Sequence, residues 1–561
     1  MLPSTTPPTY ALAAQEGHGL SITILSEQAP PNVLSDWPSL PSVQKLFSDG
    51  PAPFRTEIRP PFAPPRSPEI AAAPACESPP KPGAFVLEPA MKRLFRNAAL
   101  GAAVLLILAE ALGILLLDGV RMDPDLDAPW RRATRERLTE VRKQTQVVEA
   151  PLRAGFSRAR LTPTVGAGAE DPVRGEFKSL PLAGYGNRNG KPAAGTLDDL
   201  WVKAVALEVG GRTGIVVAAD ALILPRDVTE TAVSQIAQAT GLRRDQLYFA
   251  ATHTHCGLGG WGERIVGEAF AGPFNPGVRI WFAGRLAAAA TNALADLTPA
   301  SLGTGSFDAG RFVRNRLVGD RGRVNPNFNL VSIRQSDGDT AVIGSFSAHA
   351  TVQGADVMQF SADYPGAWQR AVEQKHGGMA MFLAGPVGSH SPRPPKGGHD
   401  GALQLGEALA AETLAALPGI SLTNVVVFGQ ASVEADLPEL QNRVTDSLRL
   451  RPWAARLLLP PLAPRTFLQA MRLRDAVWCS TPCDYSGELA LDLEGAACRL
   501  GLTAAVTSFN GDYVGYVIPG KYYHLDGYEP RVMNFYGPYI PDYFDEILRS
   551  LLESLQQVAP R

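Results

Sequence analysis

The segment Thr252-His253-Thr254-His255-Cys256-Gly257-Leu258-Gly259-Gly260 places two imidazoles two residues apart, directly after an apolar, β-like run that ends at Ala251. On an extended chain positions i and i+2 share a face, so His253 and His255 converge on one site. The glycines that follow let backbone and substrate approach closely. Such a pair serves a metal or a proton transfer, or else it is a surface or hydrogen-bonded core pair; the spacing alone does not decide. A third imidazole, His349, stands in Gly344-Ser345-Phe346-Ser347-Ala348-His349-Ala350-Thr351, again an apolar run passing into small residues. Ala384 to Pro392 is a small-residue loop that exposes Ser391, or else a plain Ser-Pro turn. Thr481-Pro482-Cys483-Asp484-Tyr485 brings a carboxylate, and Tyr513 to Tyr528 is a tyrosine-rich stretch of a kind that more often builds a core than a site. HExxH, Walker A and GxSxG are absent, and Gly184–Gly190 (GYGNRNG) misses GxGxxG by one residue, which counts against a nucleotide cofactor.

Mixed layers of strand and helix are expected to position these residues. The runs Val202–Val209, Gly214–Ala219, Leu247–Ala251 and Ala341–Phe346 read as strands, and Val228–Thr240 and Gly401–Leu417 as helices. The fold class is therefore mixed α/β, a single large catalytic domain over residues 151–561 with no 20–50-residue repeat. Residues 451–468 are apolar but interrupted by prolines, and read as a hydrophobic connector that lines a substrate mouth or is simply a buried loop.

Upstream, Ala98 to Leu117 form a twenty-residue apolar run with one charge, Glu110, long enough as a helix to cross a hydrocarbon core of about 30 Å. A cleaved signal peptide would have a shorter apolar region and a small-residue cleavage site. Residues 91–120 are thus expected to be a transmembrane anchor. Lys92, Arg93 and Arg96 precede the span and only Arg121 follows within ten residues, which predicts a single-pass topology with the catalytic domain exported to a periplasmic or extracellular side. Residues 121–150 read as a charged helical stalk ended by Pro151. Residues 1–90 hold 19 of the 48 prolines and read as a disordered tail. The run Met91-Lys92-Arg93 resembles the start of a bacterial anchor, so either translation begins at Met91 and residues 1–90 are an upstream extension, or they are a disordered cytoplasmic tail.

Lys+Arg total 52 against 55 Asp+Glu, a net charge of −3 with no basic block, which excludes nucleic acid as an expected partner. Five cysteines are too few for a disulfide scaffold. Cys479 and Cys483 are close enough in sequence to bridge, and Cys256 is either a soft metal contact or a small buried residue.

Taken in order, THTHCGLGG, SAHAT, the loop ending in Ser-Pro, Pro-x-Asp-Tyr, and NGDYVGYV with YEP and FYGP resemble the neutral, non-lysosomal ceramidases. Gly184–Gly190 followed by KPAAGTLDDLWVKAVALE is similar to the stretch leading into that family's first core strand, and the resemblance spans about residues 152–545. It implies a zinc site held by His253, His349, Asp484 and Tyr516, with His255 beside the metal. It also implies that Ser391 is required for activity and that Tyr528 and Arg316 lie on the substrate side. Two imidazoles and a carboxylate leave zinc an open position, as hydrolytic sites do. The resemblance leaves Ser391 as nucleophile or positioning group, and Tyr516 as ligand or oxyanion donor. His255 or a nearby acid would protonate the departing amine.

The chain departs from the family where Asp484 replaces the usual Glu and where Gly388-Ser389-His390-Ser391-Pro392-Arg393 replaces Gly-Asp-x-Ser-Pro-Asn. It also ends without the family's C-terminal β-sandwich. The expected function is a membrane-anchored, zinc-dependent amidohydrolase of lipid metabolism that cleaves the N-acyl bond of ceramide or a related lipid amide. The alternatives are a hydrolase of smaller amides or esters and an inactive lipid-binding relative.

Overall fold

Trp201–Val209 is buried on both faces: Val202, Ala204 and Ala206 enter one apolar cluster, and Val205, Leu207 and Val209 another, as the two-residue period of a strand dictates. The computed structural model, which describes residues 89–123 and 125–556, repeats that pattern across a twelve-stranded sheet. Its strands are β1 (Val147–Arg160), β2 (Trp201–Val209), β3 (Arg212–Ala219), β4 (Leu247–Ala251), β5 (Thr298–Asp308) and β6 (Asn327–Gln335). They continue as β7 (Thr340–Phe346), β8 (Met379–Ala384), β9 (Val425–Asp436), β10 (Arg465–Leu473), β11 (Ala476–Ser480) and β12 (Thr503–Thr507). The helices are α1 (Pro89–Leu116), α2 (Pro129–Gln144), α3 (Arg226–Thr240), α4 (Arg264–Ala271) and α5 (Pro276–Ala295). After them come α6 (Asp363–His376), α7 (Gly398–Ala416), α8 (Pro452–Leu458), α9 (Gly487–Arg499) and α10 (Ile540–Ser554).

The sheet runs β8-β7-β6-β5-β1-β9-β10-β11-β12, with β2, β3 and β4 branching from β1. The pairs β7–β8, β3–β4 and β11–β12 are parallel. β1 makes the branch: Val147–Pro151 pair with β9, and from Leu152 onward the strand pairs with β2 and, briefly, β5. Pro151, which has no N–H to give, stands where the partner changes. One core cluster consists of strand side chains from every member of the sheet, so the branches pack face to face. Helices close the outer faces: α3 and α5 over β2–β4, α6 and α7 over β6–β8, and α2, α9 and α10 over β9–β12.

The predicted runs form strands and helices close to their expected bounds, and the mixed α/β class holds. Residues 121–150 differ from the expected stalk. α2 lies on the domain with Arg131, Thr134 and Leu138 buried, and Arg131 Nη2 is 2.6 Å from Glu546 of α10. Its charges looked like a solvated ring because their carboxylate partners lie some 400 positions later. Pro151 lies within β1 and does not end the helix. The 451–468 connector holds a short helix, α8, that begins on Pro452 and precedes its other three prolines. Cys479 and Cys483 are buried and unbridged. The expectations for residues 1–88 lie outside the described residues. Arg93–Leu116 is long and apolar enough to cross a membrane by length and composition, with a mean hydropathy of 2.5 and none of that window buried.

Candidate metal centre

β4 ends at Ala251, and the chain turns sharply enough that His253 takes a positive φ of 62°. The two histidines therefore converge by this turn and not by the pleat expected from their spacing. A backbone bridge from Thr254 to Ala350 and a 3.3 Å hydrogen bond from His255 N to Ala350 O join this segment to the one carrying His349. The rings of His253 and His349 stand 4.5 Å apart, and the ligating atoms of His253, His255 and His349 all lie within 4.8 Å of one another. Gly184 explains part of the GYGNRNG run: its φ is +118°, and a Cβ there would lie 2.7 Å from His255 Cα. Its neighbour Arg188 clamps the same turn by donating to the carbonyls of Ala183 (3.2 Å) and Val357 (2.9 Å) and to Cys256 Sγ (3.4 Å). Burial pushes that thiol up to about 12, so Cys256 is the small buried residue of the two expected readings.

Asp484 and Tyr516 arrive together, because the short strands Asp484–Tyr485 and Tyr516–Val517 pair in parallel with these two residues opposed. Asp484 Oδ1 is 3.4 Å from His253 Nε2 and 3.3 Å from His349 Nε2, and His253 Nε2 is 3.4 Å from His255 Nε2. Two ligands on a tetrahedral ion with bonds of about 2.0–2.1 Å stand about 3.3–3.4 Å apart. The donor chemistry also fits. His253 Nδ1 gives its proton to Leu222 O at 2.7 Å, and His349 Nδ1 donates to Val387 O at 2.9 Å and His390 O at 3.1 Å, which leaves the Nε2 lone pairs directed inward. Asp484 Oδ1 takes no hydrogen bond among the described residues, while Oδ2 accepts from Tyr513 at 2.8 Å.

Burial pushes His253 down to about 3, outweighing the attraction of Asp484, and burial likewise lowers His255 and His349. Burial raises Asp484. With Nδ1 of His253 and His349 committed to backbone carbonyls, two imidazole Nε2 atoms and the Asp484 carboxyl face one another at 3.3–3.4 Å, a set of ligand atoms that a divalent cation can draw together. The donor set fits a metal ion.

Arg316 is drawn into the same cluster. Its Nη2 lies 3.1 Å from His349 Nε2 and 3.0 Å from the Tyr516 hydroxyl, and its Nε lies 2.8 Å from Glu529 Oε1. Glu529, Tyr513 and Phe509, which stacks on His253 at 4.2 Å, are site residues that the motifs did not single out. Tyr513 lies within NGDYVGYV and Glu529 within YEP, and Phe509 stands just before the first of these, but nothing in the motifs marks the three as site residues. Tyr528 packs edge-on to Tyr516 at 5.7 Å. Ser391 is placed differently: it pairs with Arg314 in the short strands His390–Pro392 and Val313–Asn315, and its Oγ accepts from Arg314 Nε at 3.0 Å. Among the described residues no hydrogen bond joins Ser391 to the three imidazoles. Ser389, where the family pattern has an acid, accepts from His390 Nδ1 and meets Ser486 Oγ at 2.8 Å, which holds the loop whose His390 carbonyl orients His349.

A cleft leads to the cluster, with His253, His255, Asp484, Tyr513, Tyr516 and Tyr528 in its lining and Leu222, Trp261, Phe270, Pro461, Leu462 and Phe535 as apolar wall. A few precise polar groups in an apolar cleft are what a small-molecule or lipid site requires.

No family model matches the chain. A neutral ceramidase of Mycobacterium tuberculosis is 25% identical over 244 residues, which is 40% of this chain and 37% of that protein's length. The crystal structure of neutral ceramidase from Pseudomonas aeruginosa superimposes with a TM-score of 0.60 at 18% identity, over 73% of this chain and 76% of that one. A ceramidase complexed with C2 gives a TM-score of 0.59 at 17% identity and the same coverage. The chain resembles the neutral ceramidases in sequence over part of its length and shares their fold over about three-quarters of it.

Proposed function

We propose that this chain is a membrane-anchored, zinc-dependent amidohydrolase that cleaves the N-acyl bond of ceramide or a related lipid amide. The observation that carries the reading is the opposition of His253 Nε2, His349 Nε2 and Asp484 Oδ1 at 3.3–3.4 Å where an apolar cleft reaches them. His253, His349 and Asp484 hold the ion, with Tyr516 as fourth ligand or as a donor beside it. Bound there, zinc supplies Lewis acidity toward a carbonyl and lowers the pKa of water.

The side chains do the rest. The apolar wall takes an acyl chain and excludes water from the amide. His255, whose Nδ1 has no hydrogen-bond partner among the described residues, takes a proton from the attacking oxygen and returns it to the departing amine. Arg316, held by Glu529, donates through Nη2 to the developing oxyanion. Ser391 acts as a positioning group on the loop that orients His349. α1 anchors the chain, with the catalytic domain on the exported side.

Metal analysis with turnover of a long-chain ceramide tests the reading. Wild type should hold about one zinc per chain and lose activity to a chelator, and His253→Ala and His349→Ala should each lose both. Metal retained in either variant, or hydrolysis indifferent to chelator, would overturn the zinc site. Short acyl amides turned over faster than ceramide would favour the smaller-substrate alternative, and zinc bound without any hydrolysis would favour a lipid-binding protein.

A further inference from the structure

The end of α1 is tied to the wall of the cleft. Leu117–Gly119 pairs antiparallel with Leu448–Leu450. Arg451 then grips the last helical turn, its backbone N donating to Leu116 O at 2.8 Å and its guanidinium to Leu117 O at 3.1 Å and Ile114 O at 3.2 Å. α8 begins at the next residue. It buries Ala454 and Ala455 but leaves Trp453 48% and Leu457 65% exposed, so apolar groups line its outer side too. Arg264, at the start of α4, donates to the carbonyls of Arg456 and, at 3.4 Å, Leu459, and the next residue, Ile265, is 57% exposed. A Cβ on Gly267 would touch Pro460 at 3.4 Å. On their inner side α4 and the proline turn supply Val266, Phe270, Pro460 and Leu462 to the cleft.

We propose that α8, the outer side of α4 and the proline turn form a bilayer-docking face that seats the cleft beside the membrane α1 enters. This rests on the anchoring read into α1. Three features favour a lipid surface over a protein partner as the occupant. The face begins one residue from a hydrogen-bonded junction with a helix whose apolar window is wholly unburied. Its exposed groups are a tryptophan and branched aliphatics, the types that settle at the headgroup–acyl boundary. α4, which carries Ile265, and the proline turn that follows α8 also wall the cleft, so an acyl chain moves from bilayer to apolar wall without crossing water.

The full chain, with Cys76 and the exposed Cys498 changed to Ser, is reconstituted in phosphatidylcholine–phosphatidylglycerol vesicles containing lipids with a nitroxide on the acyl chain. Single cysteines carrying an environment-sensitive fluorophore are placed by Leu457→Cys and Ile265→Cys on the face, Leu106→Cys in α1, and Asp337→Cys on the exposed β6–β7 turn. The face labels should be quenched at least twofold and the label at 337 left unchanged. Quenching at 106 without quenching at 457 and 265 overturns the docking face and leaves the anchor standing. Absence of quenching at 106 overturns both, and equal quenching at 337 overturns the face as a localised surface.

Discussion

Single atoms decide whether the histidine cluster is a site or a core. His253 and His349 each spend Nδ1 on a backbone carbonyl, which fixes the tautomer and leaves Nε2 as a ligand. His349 Nε2 meets Arg316 Nη2 at 3.1 Å and the Tyr516 hydroxyl at 3.0 Å, contacts that a bound ion would replace, whereas His390 lies apart from the carboxylate and accepts from Asn325 N at 2.8 Å on Nε2 and contacts Ser389 Oγ at 2.8 Å on Nδ1. The shorter Asp484 side chain reaches the cluster because its backbone lies close to the loop at Gly388, where any side chain would collide with the Asp484 carbonyl. Tyr513 then orients the carboxylate by donating to Oδ2 at 2.8 Å, leaving Oδ1 for the ion. Tyr513→Phe removes that one hydroxyl and keeps the ring. Metal affinity should fall about 10- to 100-fold with an unchanged far-ultraviolet circular dichroism spectrum, as competition with a graded series of chelators would measure. Unaltered affinity would remove Tyr513 from the site.

At the level of elements, the long runs were legible and the junctions were not. β2, β3, β4, β7, α3 and α7 follow from periodicity because each buries whole faces, and burial is what the hydrophobic pattern records. The strand pair Asp484–Tyr485 with Tyr516–Val517 is two residues long, too short for any period; the family resemblance singles out Asp484 and Tyr516 but not their pairing. Glu529 was missed because its role lies in one ion pair with Arg316, 213 positions away. Lys203 was hidden for the same reason, a charge inside the apolar run of β2 that pairs with Glu373 of α6 at 2.6 Å and also reaches Ala380 O at 2.6 Å. The pair fastens α6 to the sheet. Lys203→Ala would leave the partly buried Glu373 with only Arg158 at 3.5 Å and the Ala380 N–H as partners, at a cost of about 1–3 kcal/mol. Lys203→Met combined with Glu373→Gln should recover most of that loss. Urea unfolding of Lys203→Met alone beside the double variant distinguishes a real pair from mere filling of space: a pair makes the single change less stable than the double, whereas space filling would leave the two alike.

For the molecule as a whole, the question is what the N-terminal helix contributes to the fold. Among the described residues none of α1 enters the four apolar clusters, whereas α2 contributes Leu138 and β1 contributes Val147. The folded unit should therefore start near α2, with α1 joined to it, among the described residues, through Leu117–Gly119, the Asp118–Arg449 ion pair, the Val120 N to Ser447 O hydrogen bond, the contacts of Arg121 with Glu439 and Gln441, and the grip of Arg451. Removing residues 1–120 should shift the thermal midpoint by only a few degrees, because it costs a three-residue pairing and no core. Removing residues 1–146 strips α2 and its ion pairs to Glu546 and should lower the midpoint much further. The shorter deletion should have a local consequence instead. Without its partner strand the Leu448–Leu450 segment and α8 open more often, and trypsin should cut after Arg456, whose following residue is Leu457, well before it cuts elsewhere. If that chain instead resists cleavage there as well as the full-length protein does, the connector is held by the domain alone and α1 has no structural hold on the wall of the cleft.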